Sequence, residues 1–111
     1  MFASYNRVDN VAAIVDYNRI QLDGFVKDIL DLEPLADKWK SFGWHVIEID
    51  GHNISALQNA FSEAASVKGK PTCVLAHTIK GKGVSFMENN PKFHGTAPTR
   101  EECAKALQEL A

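Results

Sequence analysis

At 111 residues the chain fits one domain or part of one. Hydrophobic residues make up 45% and charged residues 23%, with a formal net charge of -2. That balance argues against nucleic acid or a polyanionic membrane as a partner, and no apolar run approaches the roughly 20 residues needed to span a bilayer. Residues Met1 to Arg7 lack the charged start and apolar stretch of a signal peptide. Cys73 sits in an apolar run and Cys103 in a helical pattern, with no metal-ligand spacing between them. Both are expected to be buried free thiols, which favours a reducing, cytoplasmic setting.

Strand-like and helix-like segments alternate along the chain. Asn10 to Val15 is a short apolar run, expected as the first strand. Pro34 can open a helix at its first position, where its missing N–H has no partner anyway. Leu35, Trp39 and Phe42 then share a face, and Gly43 can end the helix in a left-handed conformation. Trp44 to Ile49, rich in β-branched residues, reads as a second strand. Ile54, Leu57, Phe61 and Ala64 or Ala65 form the apolar stripe of a second helix. Asn53 or Ser55 could cap it, and Ser55 with Gln58 fits a capping box. Gly69-Lys70-Pro71 breaks the chain before a third strand, Thr72 to His77. Thr99 and Glu102 make a capping box for a last helix, whose inward face would carry Cys103, Ala106, Leu107 and Leu110.

This order predicts an α/β layer of three parallel strands with crossover helices. Two segments escape the pattern, Asp16 to Asp31 and Lys80 to Pro98. Each starts at the carboxyl end of an expected strand, where open parallel sheets bind their ligands.

In the first segment Asn18 offers a side-chain amide oxygen just past a strand. The carbonyl of Ile20 can point the same way in a tight loop. Oxygen donors of this kind suit magnesium. The same residues suit an Asx turn at Asn18 and a second turn at Asp23-Gly24, so the residues alone leave both readings open. In the second segment, Lys80-Gly81-Lys82-Gly83 combines positive charge with glycines that let a backbone approach a ligand. A solvated basic turn is the plainer reading. His94 lies in a loop between Phe93 and Gly95, where a surface role is the common one. His45, His52 and His77 fall in a strand, after a turn and at a strand end, and none is assigned chemistry.

The run from Ala13 through Asp16-Tyr17-Asn18-Arg19-Ile20-Gln21-Leu22-Asp23-Gly24 resembles the second half of the thiamine diphosphate motif of transketolases. Lys80-Gly81-Lys82-Gly83 through His94-Gly95 to Ala97-Pro98 is similar to the end of the same domain, with Thr96 inserted relative to some members. The resemblance also covers Leu32 to Trp39 and Gly43 to His52, and so nearly the whole chain. It implies a partial thiamine-diphosphate-binding fold, residues 1–111 being the C-terminal portion of that domain. It implies that Asn18 and the Ile20 carbonyl hold magnesium, that Lys80 and Gly81 meet the cofactor diphosphate, and that His94 hydrogen-bonds substrate and assists proton transfer. The implied reaction moves a two-carbon ketol unit from a ketose phosphate to an aldose phosphate.

The family's motif opens with Gly-Asp-Gly upstream of the residue matching Asn18, and residues 1–17 do not contain it. The expectation is therefore a truncated piece of the domain that binds magnesium diphosphate poorly and is inactive alone. Its implied partner is a pyrimidine-binding domain or the C-terminal subunit of a split transketolase. Lost sheet neighbours would favour self-association, which sedimentation would read as species larger than a monomer. Deoxyxylulose-phosphate synthase shares part of the pattern but reads differently at the metal loop. A non-catalytic interaction module is the alternative from another class.

Overall fold

The computed structural model describes residues 1–22 and 24–111; Asp23, half of the expected Asp23-Gly24 turn, lies outside them. The chain divides into two compact units, Met1–Tyr17 with Glu33–Thr78 and Asn18–Leu32 with Ile79–Ala111.

The first unit is the parallel sheet with its helices. A short helix α1 (Phe2–Tyr5) precedes β1 (Ala12–Tyr17), and α3 (Leu35–Ser41), β4 (His45–Asp50), α4 (Ile54–Ser66) and β5 (Thr72–His77) follow. The strand order is β1-β5-β4, and both pairings are parallel. This is the predicted three-stranded parallel layer. β5 is central, and its first five residues are all buried, as a strand covered on both faces requires. β1 starts two residues later than expected and alternates between exposed and half-buried, with Ile14 58% exposed.

The helix ends show which local signals prevailed. Pro34 lies outside α3 as its N-cap, in extended conformation, rather than at the first helical position. The Glu33 carboxylate accepts the Leu35 N–H at 2.9 Å and the Tyr17 hydroxyl at 2.7 Å, tying the start of α3 to the end of β1. Gly43 does take a left-handed conformation, φ +82, after α3. Asn53 caps α4 by accepting the Ala56 N–H at 3.0 Å, so the Ser55–Gln58 box is not the one used.

The buried face of α4 matches the predicted stripe only in part: Ala64 is buried and Leu57 half-buried, but the rest of the stripe is not. Ala60 and Ala64 are buried, whereas Ile54 is 67% exposed and Phe61 44%. Small side chains one turn apart let α4 sit close on the sheet, and that close approach turns the larger residues outward. Cys73 is fully buried, and burial pushes its thiol up to about 11.

The second unit holds both irregular segments. β2 (Ile20–Gln21) and β3 (Gly24–Phe25) form a two-stranded antiparallel ribbon, followed by α2 (Val26–Ile29). A 3-10 helix covers Pro91–His94, and α5 covers Arg100–Glu109. The Thr99–Glu102 capping box is present in full. The expected inward face of α5 is not buried. Leu107 and Leu110 are 64% and 60% exposed, Cys103 is exposed rather than buried, and Ala106 is half-buried. Small and polar residues dominate this helix; its N-terminal end is closed by its own capping box, and Glu109 near its C-terminal end accepts the Ser85 hydroxyl at 2.8 Å.

Candidate functional site

All five sequence-predicted site residues fall in the second unit. Asn18 directly follows β1, and its Oδ1 accepts the Ile20 N–H at 2.9 Å. The Asx turn is therefore real. An amide oxygen has two lone pairs, so one of them stays available to a cation. Arg19, between the two, has φ +63, a left-handed conformation that a non-glycine residue rarely adopts. Its carbonyl accepts the Val26 N–H at 2.9 Å, which closes the loop over the ribbon. Ile20 is 9% exposed and anchors this turn. Beside it, the Gln21 Nε2 is buried with no hydrogen-bond partner among the described residues.

Lys80 and Gly81 open a loop that closes on itself at residues 80–90. The Asn89 N–H donates to the Lys80 carbonyl at 3.0 Å, and the Val84 N–H donates to the Gly81 carbonyl at 3.1 Å. Gly81 has φ +74, and a Cβ there would lie 2.5 Å from the Met87 carbonyl oxygen. Its glycine is thus demanded by the loop's own closure, whatever else approaches it. Lys82 Nζ lies 3.6 Å from Glu88, whose carboxylate also accepts the Gly83 N–H at 3.0 Å.

His94 ends the 3-10 helix and is exposed. Asn90 caps that helix through the Lys92 N–H at 3.1 Å, and Phe93 packs edge-on against Phe86 with ring centroids 5.8 Å apart. These two anchors fix the segment that carries His94. Thr96 borders a cleft of about 400 Å³, with Leu22, Pro91, Lys92, His94 and Gly95 as the other lining residues. Leu22 belongs to the Asn18 segment, so the cleft joins the two irregular stretches. Its lining does not include Asn18, Ile20, Lys80 or Gly81.

The other histidines of the sheet have structural partners. His45 Nε2 lies 2.7 Å from Glu63, and His77 Nε2 lies 3.2 Å from Glu48. Sequence reasoning does not find Glu33 or the left-handed Arg19. No local signal marks a carboxylate that bonds sixteen residues away or a left-handed arginine.

Among the described residues, no group of three or more His, Cys, Asp or Glu side chains is placed to hold a metal. No helix among them is long and apolar enough to cross a membrane.

The family model described as "Transketolase, thiamine diphosphate binding domain" matches residues 1–111. The 6-deoxy-6-sulfo-D-fructose transketolase subunit of a Clostridium strain is 46% identical over 110 residues, 99% of this chain and 40% of that protein. An apulose-4-phosphate transketolase subunit from Phocaeicola vulgatus is 36% identical over 111 residues, 100% of this chain and 40% of that protein. The chain thus spans about two fifths of the length of these relatives. Among solved structures, the transketolase of Campylobacter jejuni is similar with a TM-score of 0.89 and 28% identity, over 97% of this chain and 17% of that one. Matched along its whole length and alike in fold to a solved transketolase, the chain belongs to the transketolase thiamine diphosphate binding domain family.

Proposed function

We propose that this chain supplies the diphosphate and magnesium side of the cofactor site in a transketolase. The enzyme would move a two-carbon ketol unit from a ketose phosphate to an aldose phosphate. The observation that carries the reading is the Asn18–Ile20 turn directly after β1, in a chain that matches the family throughout. Thiamine diphosphate would supply the nucleophilic carbon and the electron sink.

The donor chemistry fits. The Asn18 amide keeps a free lone pair, and with the Ile20 carbonyl it offers hard, neutral oxygens of the kind magnesium takes alongside phosphate and water. The unpartnered Gln21 Nε2 is a donor suited to an oxygen-rich neighbour such as a diphosphate or its water shell. Lys80 would bring positive charge to the diphosphate, with the Gly81 backbone beside it. His94, exposed on a firmly anchored segment, would hydrogen-bond the substrate and assist proton transfer.

A partner is part of this reading. Two relatives are named as transketolase subunits, which supports a second subunit carrying the pyrimidine-binding domain. Their names also specify a sulfonated and a phosphorylated sugar, which supports a donor ketose with an anionic group. A cytoplasmic setting agrees with two free cysteines. The test is ketol transfer by the holoenzyme containing this chain, with thiamine diphosphate and magnesium each omitted in turn. Transfer that requires both is expected. Turnover unaffected by removal of the cofactor would sink the reading.

A further inference from the structure

We propose that Glu109 is a positioning residue that holds the Lys80 loop in register, so that Lys80 is pre-set for a diphosphate ligand. The inference rests on the cofactor reading of Lys80 given above. The loop's inner bonds, Asn89 N–H to the Lys80 carbonyl and Val84 N–H to the Gly81 carbonyl, hold its base. Farther out, the Gly83 N–H donates to the Glu88 carboxylate and the Met87 and Glu88 N–H groups donate to the Val84 carbonyl, but these bonds stay within the loop and leave its attachment to α5 to other contacts.

The tip is held from α5. The Ser85 N–H donates to one Glu109 carboxylate oxygen, and the Ser85 hydroxyl donates to the other at 2.8 Å. This clamp spans 24 residues of chain. Next to it, Leu110 reaches Gly83 so closely that a Cβ there would lie 3.0 Å from its Cδ2. Lys105 stands 3.9 Å from the Glu109 carboxylate and lies over the Phe86 ring at 5.3 Å, so charge and packing reinforce the clamp.

The Ser85 backbone N–H, more than any other neighbour, holds the Glu109 carboxyl below its ordinary value. A carboxyl depressed in this way stabilises the fold above its unfolded pKa and loses that contribution as pH falls through the folded value. The clamp is therefore charged and intact at neutral pH. A loop ordered before binding spares the ligand the entropy of ordering it, and this is how Glu109, without touching the ligand, would raise affinity through Lys80.

The experiment titrates thiamine diphosphate into the assembled enzyme, stripped of cofactor and supplied with magnesium, for Glu109→Ala, Glu109→Gln, Ser85→Ala, Lys80→Ala and the double Glu109→Ala/Lys80→Ala. Glu109→Ala is expected to weaken cofactor affinity about five- to ten-fold, with less change in kcat at saturating cofactor. Glu109→Gln, which keeps one acceptor oxygen, should recover part of the loss, and Ser85→Ala should weaken affinity in the same direction. In the Lys80→Ala background, Glu109→Ala should add nothing. An equal loss in that background would overturn the proposal, as would parallel falls in affinity, kcat and melting temperature. If Lys80→Ala weakens binding while Glu109→Ala and Ser85→Ala do not, the Glu109 proposal alone fails. If Lys80→Ala itself has no effect, the cofactor reading of Lys80 fails and takes the proposal with it. Should Glu109→Ala not fold, Ser85→Ala carries the same comparison.

Discussion

His94→Ala in the holoenzyme is expected to lower ketol transfer about ten- to hundred-fold, the loss of one strong hydrogen bond to a reacting substrate. The loss should appear in kcat or in the KM for the donor ketose, with the KM for thiamine diphosphate little changed. His94 faces the cleft with Leu22, and the loop that bears Lys80 is not part of that lining. Steady-state kinetics with donor and cofactor varied separately make the distinction. A mutant that lost cofactor affinity and kept kcat would move His94 from the substrate to the cofactor.

Leu75→Ala is expected to destabilise the fold by about 2–5 kcal/mol, the usual cost of truncating a large buried side chain that leaves a cavity. Leu75 is 1% exposed in the middle of β5, with β1 on one side and β4 on the other. No other strand of the sheet can compensate for a gap in its centre. By contrast, Leu107→Ala, at a residue 64% exposed on α5, should change stability by about 0.5 kcal/mol or less. Denaturant unfolding of the two variants side by side would show the difference. Equal losses would mean that α5 buries a face that the exposure of Leu107 does not indicate.

The sheet is readable from sequence because its signals are local and redundant. Thr72 to His77 is apolar without alternation, and the structure makes it the central strand with the predicted bounds. The parallel arrangement follows from the alternation of strands and helices, and the capping box at Thr99 from spacing alone. Helix faces are harder. Size favours Ile54 and Phe61 as the core of α4, yet close packing on the sheet favours Ala60 and Ala64. The Cys103, Leu107 and Leu110 face of α5 has helical spacing, but spacing says nothing about whether a partner surface is present.

The site shows the same division. Asn18 is legible as a turn former, and the turn is there. The path of the chain at Thr96 is not legible, since it depends on the anchoring of residues 90–94 by Asn90 and Phe86. The pairing of Ser85 with Glu109 joins residues with no periodic or motif relation, so only the folded chain reveals it. Tyr17, Glu33 and Leu35 are another such tertiary link, formed across an irregular stretch of sequence.

The most direct test of the account is a calorimetric titration of thiamine diphosphate into the assembled enzyme stripped of cofactor, with and without magnesium, for the wild type and Asn18→Ala. The account predicts that wild-type binding depends on magnesium. Asn18→Ala should weaken magnesium and cofactor together by about ten-fold or more, because one of few protein oxygens for the ion is gone. Cofactor binding that is the same with and without magnesium, and the same in Asn18→Ala as in the wild type, would contradict it.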